Sequence, residues 1–121
     1  MSLLVVGTVA YDTVSAGTES RVDSLGGSAT YFSIAASFFT QVAVVAVVGQ
    51  DFQDSDRQYL LSRGVDISGI ETAAGETFRW SGSYDPNNMN LRDTLDTKLN
   101  VLAEFTPVLS DNHRNSDYLF L

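Results

Sequence analysis

The chain begins with a pattern typical of a parallel α/β sheet. Residues 3–6 form a short apolar run that ends at Gly7, as in strands covered on both faces. An apolar stripe with helical spacing follows in residues 28–39, and the β-branched run in residues 42–48 predicts a second buried strand. Strand, helix and strand form a crossover unit, which we expect to be right-handed.

A polar segment separates the first strand from this helix. Residues 13–24 are rich in hydroxyl side chains and too long for a tight turn, so they predict a loop or an exposed hairpin. After the second strand, Asp51 or Asp54 could cap a further helix that ends at Gly64. We interpret Asp51, Asp54 and Asp56 as a solvated helix start.

The second half of the chain predicts mostly extended structure. Residues 65–67 resume a strand, and residues 77–84 alternate as a strand with one apolar face does. Turn chemistry follows at residues 85–88. The pattern in residues 91–99 fits either a strand or a helix, and we favour extended structure there.

The last apolar segment, residues 117–121, predicts a strand that needs cover on both faces. Because the chain stops inside this segment, we expect residues 1–121 to be the front portion of a longer α/β protein. The alternative is a final central strand whose terminal residue is paired.

Composition and charge narrow the classes of partner. The 121 residues are 44% apolar, contain no cysteine and carry a formal net charge of −8. An acidic chain repels nucleic-acid phosphates and anionic membrane surfaces, so we expect neither as a partner. The lack of cysteine excludes disulfides, thiolate metal sites and a cysteine nucleophile, and it permits a cytoplasmic location.

The uncharged residues 24–50 nominally reach the length of a membrane helix. However, glycine, serine and threonine interrupt them, Asp23 and Asp51 flank them, and the period changes midway from helical to extended. We therefore predict a buried helix and a buried strand instead of a membrane span, and no export signal is evident at the N-terminus.

Four short motifs occur in an informative order. They are Gly-Thr-Val-Ala-Tyr-Asp at residues 7–12, Gly-Gly-Ser-Ala at 26–29, Val-Gly-Gln-Asp-Phe at 48–52 and Arg-Gly-Val-Asp at 63–66. Together they resemble the N-terminal part of the ribokinase-like carbohydrate kinases, also called the phosphofructokinase B (PfkB) family. The resemblance covers essentially the whole chain, and residues 77–84 resemble a subgroup of bacterial sugar kinases.

The resemblance implies an α/β fold with a doubly wound, mostly parallel sheet, incomplete here, and a small β-sheet lid from about residues 13–25 and 76–98. It implies ATP-dependent phosphoryl transfer, with Mg²⁺, to a hydroxyl of a sugar or nucleoside, and such lids often also mediate homodimerisation. In the family an aspartate at the end of the first strand holds substrate hydroxyls, and paired glycines bring backbone close to the substrate. The substrate-binding residues expected here are Asp12, Gly26, Gly27, Tyr31, Thr77 and Arg79.

Elementary chemistry supports these roles, although each residue also has a plainer interpretation. A carboxylate beyond the C-terminal end of a parallel strand lies where open α/β sheets bind ligands, yet Asp12 could simply cap a turn. Gly26 and Gly27 permit close approach, and the helix that follows should present free N–H groups, yet paired glycines often only join a loop to a helix. Arg79 could contact a ligand or only solubilise a strand.

Other side chains are assigned no chemistry. Trp80 is interpreted as packing, and His113, the only histidine, lies in a polar segment without partners for a metal site or a catalytic triad.

Two departures from the family pattern matter. Ribose-specific members carry asparagine where this chain has Ala10 and Tyr31, so a different sugar or a nucleoside remains open. The family's catalytic base lies in a late Gly-x-Gly-Asp motif that does not occur in these 121 residues. We therefore expect the nucleotide-binding part, and any catalytic residue, to lie beyond Leu121 and the isolated chain to be inactive. The alternatives are a non-catalytic small-molecule binding or regulatory module and a non-functional remnant.

Overall fold

The computed structural model describes residues 2–121, which fold into two four-stranded β-sheets with helices packed on the first of them. The elements in chain order are β1 Ser2–Val6, β2 Ala10–Ala16, β3 Glu19–Gly26, α1 Ser28–Ala36, β4 Gln41–Val48, α2 Asp54–Ser62, β5 Val65–Thr72, β6 Arg79–Asp85, β7 Asn88–Lys98, a 3-10 helix Asn100–Glu104, α3 Asp111–Arg114 and β8 Tyr118–Phe120. The mixed α/β class predicted from the hydrophobic pattern is confirmed.

The first sheet has the order β5-β4-β1-β8, and all of its neighbouring strands are parallel. The β-branched strand β4 lies inside it and buries five consecutive side chains from Val44 to Val48. Helix α1 packs against β1 and β4, and α2 packs against β5. This sheet and its helices hold the hydrophobic core, in which Val5, Val44 and Leu60 are almost fully buried.

The second sheet has the order β3-β2-β6-β7. The polar residues 13–24 form most of the antiparallel hairpin β2–β3, whose turn contains Gly17 with a φ of 62°. Strand β6 runs parallel to β2 and antiparallel to β7. The segment of residues 91–99 is therefore largely extended, as expected, and every residue of β7 is exposed.

Several local expectations were wrong. Helix α2 has Gln53 at its N-cap without a side-chain cap, because the Asp51 carboxylate is bound elsewhere. Helix α1 ends at Ala36 instead of Phe39, and residues 37–39 form turns. The interpretation of His113 is not among these: the residue lies on α3 and is 7% exposed, and its Nδ1 has no hydrogen-bond partner within residues 2–121.

The uncharged residues 24–50 are divided between the end of β3, α1 and β4. None of the helices within residues 2–121 combines the length and the apolar character that a membrane crossing requires.

Candidate functional site

Asp12 lies in β2, on the stretch of chain that leaves the C-terminal end of β1 and enters the second sheet. Strand β1 ends at Val6, so Asp12 is not at the end of the first strand itself, as the resemblance implied. The carboxylate is half-buried, and no side chain or backbone amide within residues 2–121 donates a hydrogen bond to it. Burial raises the pKa of Asp12, because the charged form loses water without gaining a partner.

Gly26 packs directly on this carboxylate. Ala10 pairs with Gly26 and Asp12 with Ser24 across the β2–β3 hairpin, which brings the end of β3 beside Asp12. A Cβ atom on Gly26 would overlap Oδ2 and lie 2.7 Å from Cγ of Asp12. The position therefore requires glycine for the carboxylate to keep its place.

Gly27 is the N-cap of α1 and has a φ of 94°, a conformation that essentially only glycine adopts. Thr8 binds the first two amides of this helix. Its Oγ1 accepts from the Ser28 amide at 3.0 Å, and its carbonyl accepts from the Ala29 amide at 2.9 Å. The expectation that this helix presents free N–H groups was therefore wrong for these two amides.

Tyr31, on the first turns of α1, is 62% exposed. Partial burial raises its pKa, and the nearby Asp12 carboxylate and Tyr84 hydroxyl raise it further. These electrostatic contacts place Tyr31, from α1, near Asp12, and Tyr84, from β6, near Tyr31. We call the group of Asp12, Gly26, Gly27, Tyr31 and Tyr84 the Asp12 site.

Trp80 lies on the same face of the second sheet as Asp12, because the two residues are directly paired across β2 and β6. Its ring lies across Gly82, where a Cβ would overlap it, and its Nε1–H donates to Thr94 Oγ1 at 3.3 Å. Tyr84 is four residues further along and so faces the same way. The alternation of Trp80, Gly82 and Tyr84 could have identified Tyr84 from the sequence.

Thr77 and Arg79 do not lie in the Asp12 site. Thr77 is 0% exposed; its Oγ1 donates to Asp51 Oδ1 at 2.7 Å and accepts from the Gly49 amide at 3.0 Å. Arg79 is paired with Tyr11 across β2 and β6, so it lies on the face opposite Asp12, with its guanidinium 5.3 Å from the Tyr11 ring centroid. Their substrate-binding roles stay predictions without support from this geometry.

Asp51 is the residue that sequence reasoning misread. Its Oδ1 accepts from the Thr77 amide at 2.8 Å, and its Oδ2 accepts from Arg79 at 2.6 Å. Asp56 is also bound, since it accepts from the Tyr11 hydroxyl at 2.6 Å. Burial and this hydrogen bond raise the pKa of Tyr11 to about 12. These two carboxylates therefore join the sheets and are not simply a solvated helix start.

The Asp51 contacts predict a loss of stability in acid. Burial alone would raise the pKa of the Asp51 carboxyl, but hydrogen bonds from Thr77 and the charge of Arg79 outweigh it and lower the pKa below its usual range. The contacts of the Asp51 carboxylate therefore stabilise the fold fully at pH values above its unfolded-state pKa of about 4. This stabilisation is lost as the pH falls through the lower folded-state pKa. Urea unfolding at several pH values should show this decline in the natural chain and a smaller one in Asp51→Asn.

Among known proteins, only solved structures are similar to this chain. No protein-family model matches the chain, and no curated protein matches it. The nucleoside kinase of Methanocaldococcus jannaschii, described as an archaeal member of the ribokinase family, matches with a TM-score of 0.72 at 18% identity, over 98% of this chain and 43% of that one. The ribokinase of Cryptococcus neoformans, crystallised with ADP, matches with a TM-score of 0.78 at 17% identity, over 97% and 40% of the two chains.

The chain has the ribokinase-like fold. A third match, the nucleoside kinase of Burkholderia thailandensis in complex with inosine, has a TM-score of 0.70 at 14% identity and covers 81% of this chain and 35% of that one. The fold predicted from the four sequence motifs is confirmed by these structures. The chain spans about 40% of the length of the Methanocaldococcus and Cryptococcus kinases, which it matches over nearly its whole length.

The family resemblance of the sequence implies ATP and Mg²⁺, and two features of residues 2–121 do not fit them. Within residues 2–121, no group of three or more histidine, cysteine, aspartate or glutamate side chains is placed to hold a metal ion. The first amides of α1, which could otherwise receive a phosphate, are bound to Thr8. We therefore assign no step of the reaction to ATP or Mg²⁺.

Proposed function

We propose that this chain supplies the substrate-binding part of a kinase that phosphorylates a hydroxyl group of a sugar or nucleoside. The observation that carries the proposal is the half-buried Asp12 carboxylate, which has no hydrogen-bond donor within residues 2–121 and lies against Gly26. A carboxylate desolvated in this way costs free energy unless a ligand donates hydrogen bonds to it. Sugar hydroxyl groups are donors of the required kind.

The chemistry proposed for Asp12 is recognition and orientation. An ionised carboxylate accepts several hydrogen bonds and can hold two neighbouring hydroxyl groups, and charge-assisted bonds of this kind are short and strong. Gly26 leaves room for the carboxylate itself, and Tyr31 and Tyr84 offer aromatic surface and hydroxyl groups at the border of the site. Holding the acceptor hydroxyl in one position lowers the entropic part of the barrier to phosphoryl transfer.

We further propose that the second sheet acts as the lid of this site. Asp12, Trp80 and Tyr84 share one face of that sheet, so a ligand on Asp12 would be covered by it. Covering the site excludes water, which would otherwise compete as phosphoryl acceptor. Homodimerisation through this sheet stays a prediction, which analytical ultracentrifugation of the chain can check.

Calorimetry with a panel of pentoses, hexoses and nucleosides tests the proposal. We expect at least one of them to bind the chain, and Asp12→Asn to weaken that binding by about 1–3 kcal/mol. Asp93→Asn is the matched control, because Asp93 is an exposed carboxylate of β7 on the face opposite Asp12. No binding by any member of the panel, or equal binding by Asp12→Asn, would contradict the proposal.

The same samples can be tested for catalysis. With ATP, Mg²⁺ and the bound ligand, we expect the 121-residue chain to release no more ADP than buffer, because the sequence contains no Gly-x-Gly-Asp motif to supply the base that the family uses. Ligand-dependent ADP release that Asp12→Asn removes would show that the chain catalyses transfer without that motif.

A further inference from the structure

Arg79 joins three parts of the molecule on the face of the second sheet opposite Asp12. Its Nη2 donates to Asp51 Oδ2 at 2.6 Å, in the loop after β4, and its Nη1 donates to Asp23 Oδ1 at 2.8 Å, in β3. The guanidinium lies over the Tyr11 ring between them. Arginine can bind two carboxylates at once because its planar fork carries donors on both ends, which a lysine ammonium does not offer in fixed geometry.

Asp23 is held in an unfavourable backbone conformation. Its φ is 51°, in the left-handed region, which non-glycine residues rarely adopt. The residue lies where the pairing of β2 and β3 shifts between Asp12 and Val14, so it is part of a β-bulge beside Asp12. Its amide donates to Thr13 Oγ1 at 3.2 Å, and its carboxylate is held by Arg79.

The bulge determines which residues of β3 meet Asp12. On one side of it Asp12 pairs with Ser24, and the same register places Gly26 beside Ala10. Without the bulge, the register set by the hairpin turn would continue, and the residues of β3 that follow Asp23 would slip by one position and change face. The carboxylate of Asp12 would then lose its contact with Gly26.

We propose that Arg79 is a positioning residue, which clamps the bulge at Asp23 to Asp51 and thereby keeps Gly26 packed on the Asp12 carboxylate. The structural role of Arg79 does not depend on whether the chain binds a ligand. Its effect on substrate affinity rests on the proposed function. This assignment replaces direct substrate contact as the role of Arg79.

The proposal is tested by titrating the Asp12 carboxyl in variants of Arg79 and Asp23. With the aspartates labelled with ¹³C, NMR titration of the Asp12 carboxyl should show its pKa fall towards the ordinary value in Arg79→Gln, because the carboxylate regains water when Gly26 moves away. Amide exchange in β3 should accelerate by about tenfold or more, while exchange in β1 and β4 stays unchanged. Arg114→Gln is the matched control, because Arg114 is exposed on α3, outside the second sheet, and its Nε donates to the Leu109 carbonyl; it should change neither quantity.

Asp23→Ala is a second variant, for use if Arg79→Gln does not fold. Alanine removes the carboxylate that Arg79 binds and, unlike glycine, does not favour the left-handed conformation, so nothing replaces the clamp at the bulge. We expect the Asp12 titration to shift as in Arg79→Gln. An unchanged Asp12 titration in a folded Asp23→Ala variant would overturn the proposal, whether or not the chain binds a sugar or nucleoside.

Discussion

Replacing Asp12 with asparagine is expected to make the chain more stable and to weaken its binding of a ligand. Burial raises the pKa of Asp12, and within residues 2–121 no donor compensates the charged form. The charge therefore costs folding free energy at neutral pH, and an amide of the same shape removes that cost. Binding should weaken by about 1–3 kcal/mol, because ligand hydroxyl groups lose a charged acceptor.

The raised pKa also predicts how the contribution of Asp12 to the free energy of unfolding changes with pH. Because the folded-state pKa of Asp12 is raised, the folded chain binds a proton more readily than the unfolded chain. The contribution of Asp12 therefore improves as pH falls through the folded-state pKa, which is the opposite of the Asp51 contribution. Thermal melts of the natural chain and Asp12→Asn should differ at pH 7 and converge as the carboxyl becomes protonated.

Asp93→Asn serves again as control, since an exposed carboxylate should leave the melting temperature nearly unchanged. A lower melting temperature for Asp12→Asn at pH 7 would show that the carboxylate is satisfied in the folded chain, and would remove the main support for a ligand there.

Replacing Gly27 with alanine is expected to have the largest effect on folding. Two costs combine at this position. The φ of 94° is strained for any other residue, and a Cβ would overlap the Thr8 carbonyl oxygen and lie 2.8 Å from its carbon. Left-handed strain and overpacking together should destabilise the chain by about 2–5 kcal/mol.

Gly64→Ala separates the two costs. Gly64 has a φ of 77°, but no heavy atom lies within 4 Å of the position of an added Cβ. It should therefore show only the conformational cost, about 1–2 kcal/mol. Urea unfolding of both variants checks this. Equal losses would mean that the backbone of Thr8 moves aside, and that the start of α1 is less rigid than its hydrogen bonds to Thr8 indicate.

Strongly periodic segments could be predicted without the structure. The β-branched run of β4 can be covered on both faces only inside a sheet, and the alternation in β6 requires a strand with two different faces. The family resemblance also grouped Asp12 and Tyr31 as substrate-binding residues, and the electrostatic contact between these two residues agrees with their being neighbours.

The partners of the polar side chains could not be predicted in this way. Asp51 has the sequence context of a helix cap, but Thr77 and Arg79, 26 and 28 residues later, bind its carboxylate. Thr8 likewise takes the amides of a helix that begins 20 residues after it. Such contacts depend on how the two sheets pack together. Local propensities do not determine this packing, because the residues involved are far apart in the chain.

Local periodicity thus specified most of the strands and helices, because these follow from side-chain spacing within a few residues, whereas the glycines beside Asp12 were expected from the family resemblance. Which face of β2 carries ligand chemistry, and which carries the Arg79 clamp, emerged from strand pairing and the bulge at Asp23. Pairing assigns Asp12 and Arg79 to opposite faces of one sheet, and it depends on hydrogen bonds between segments far apart in the chain.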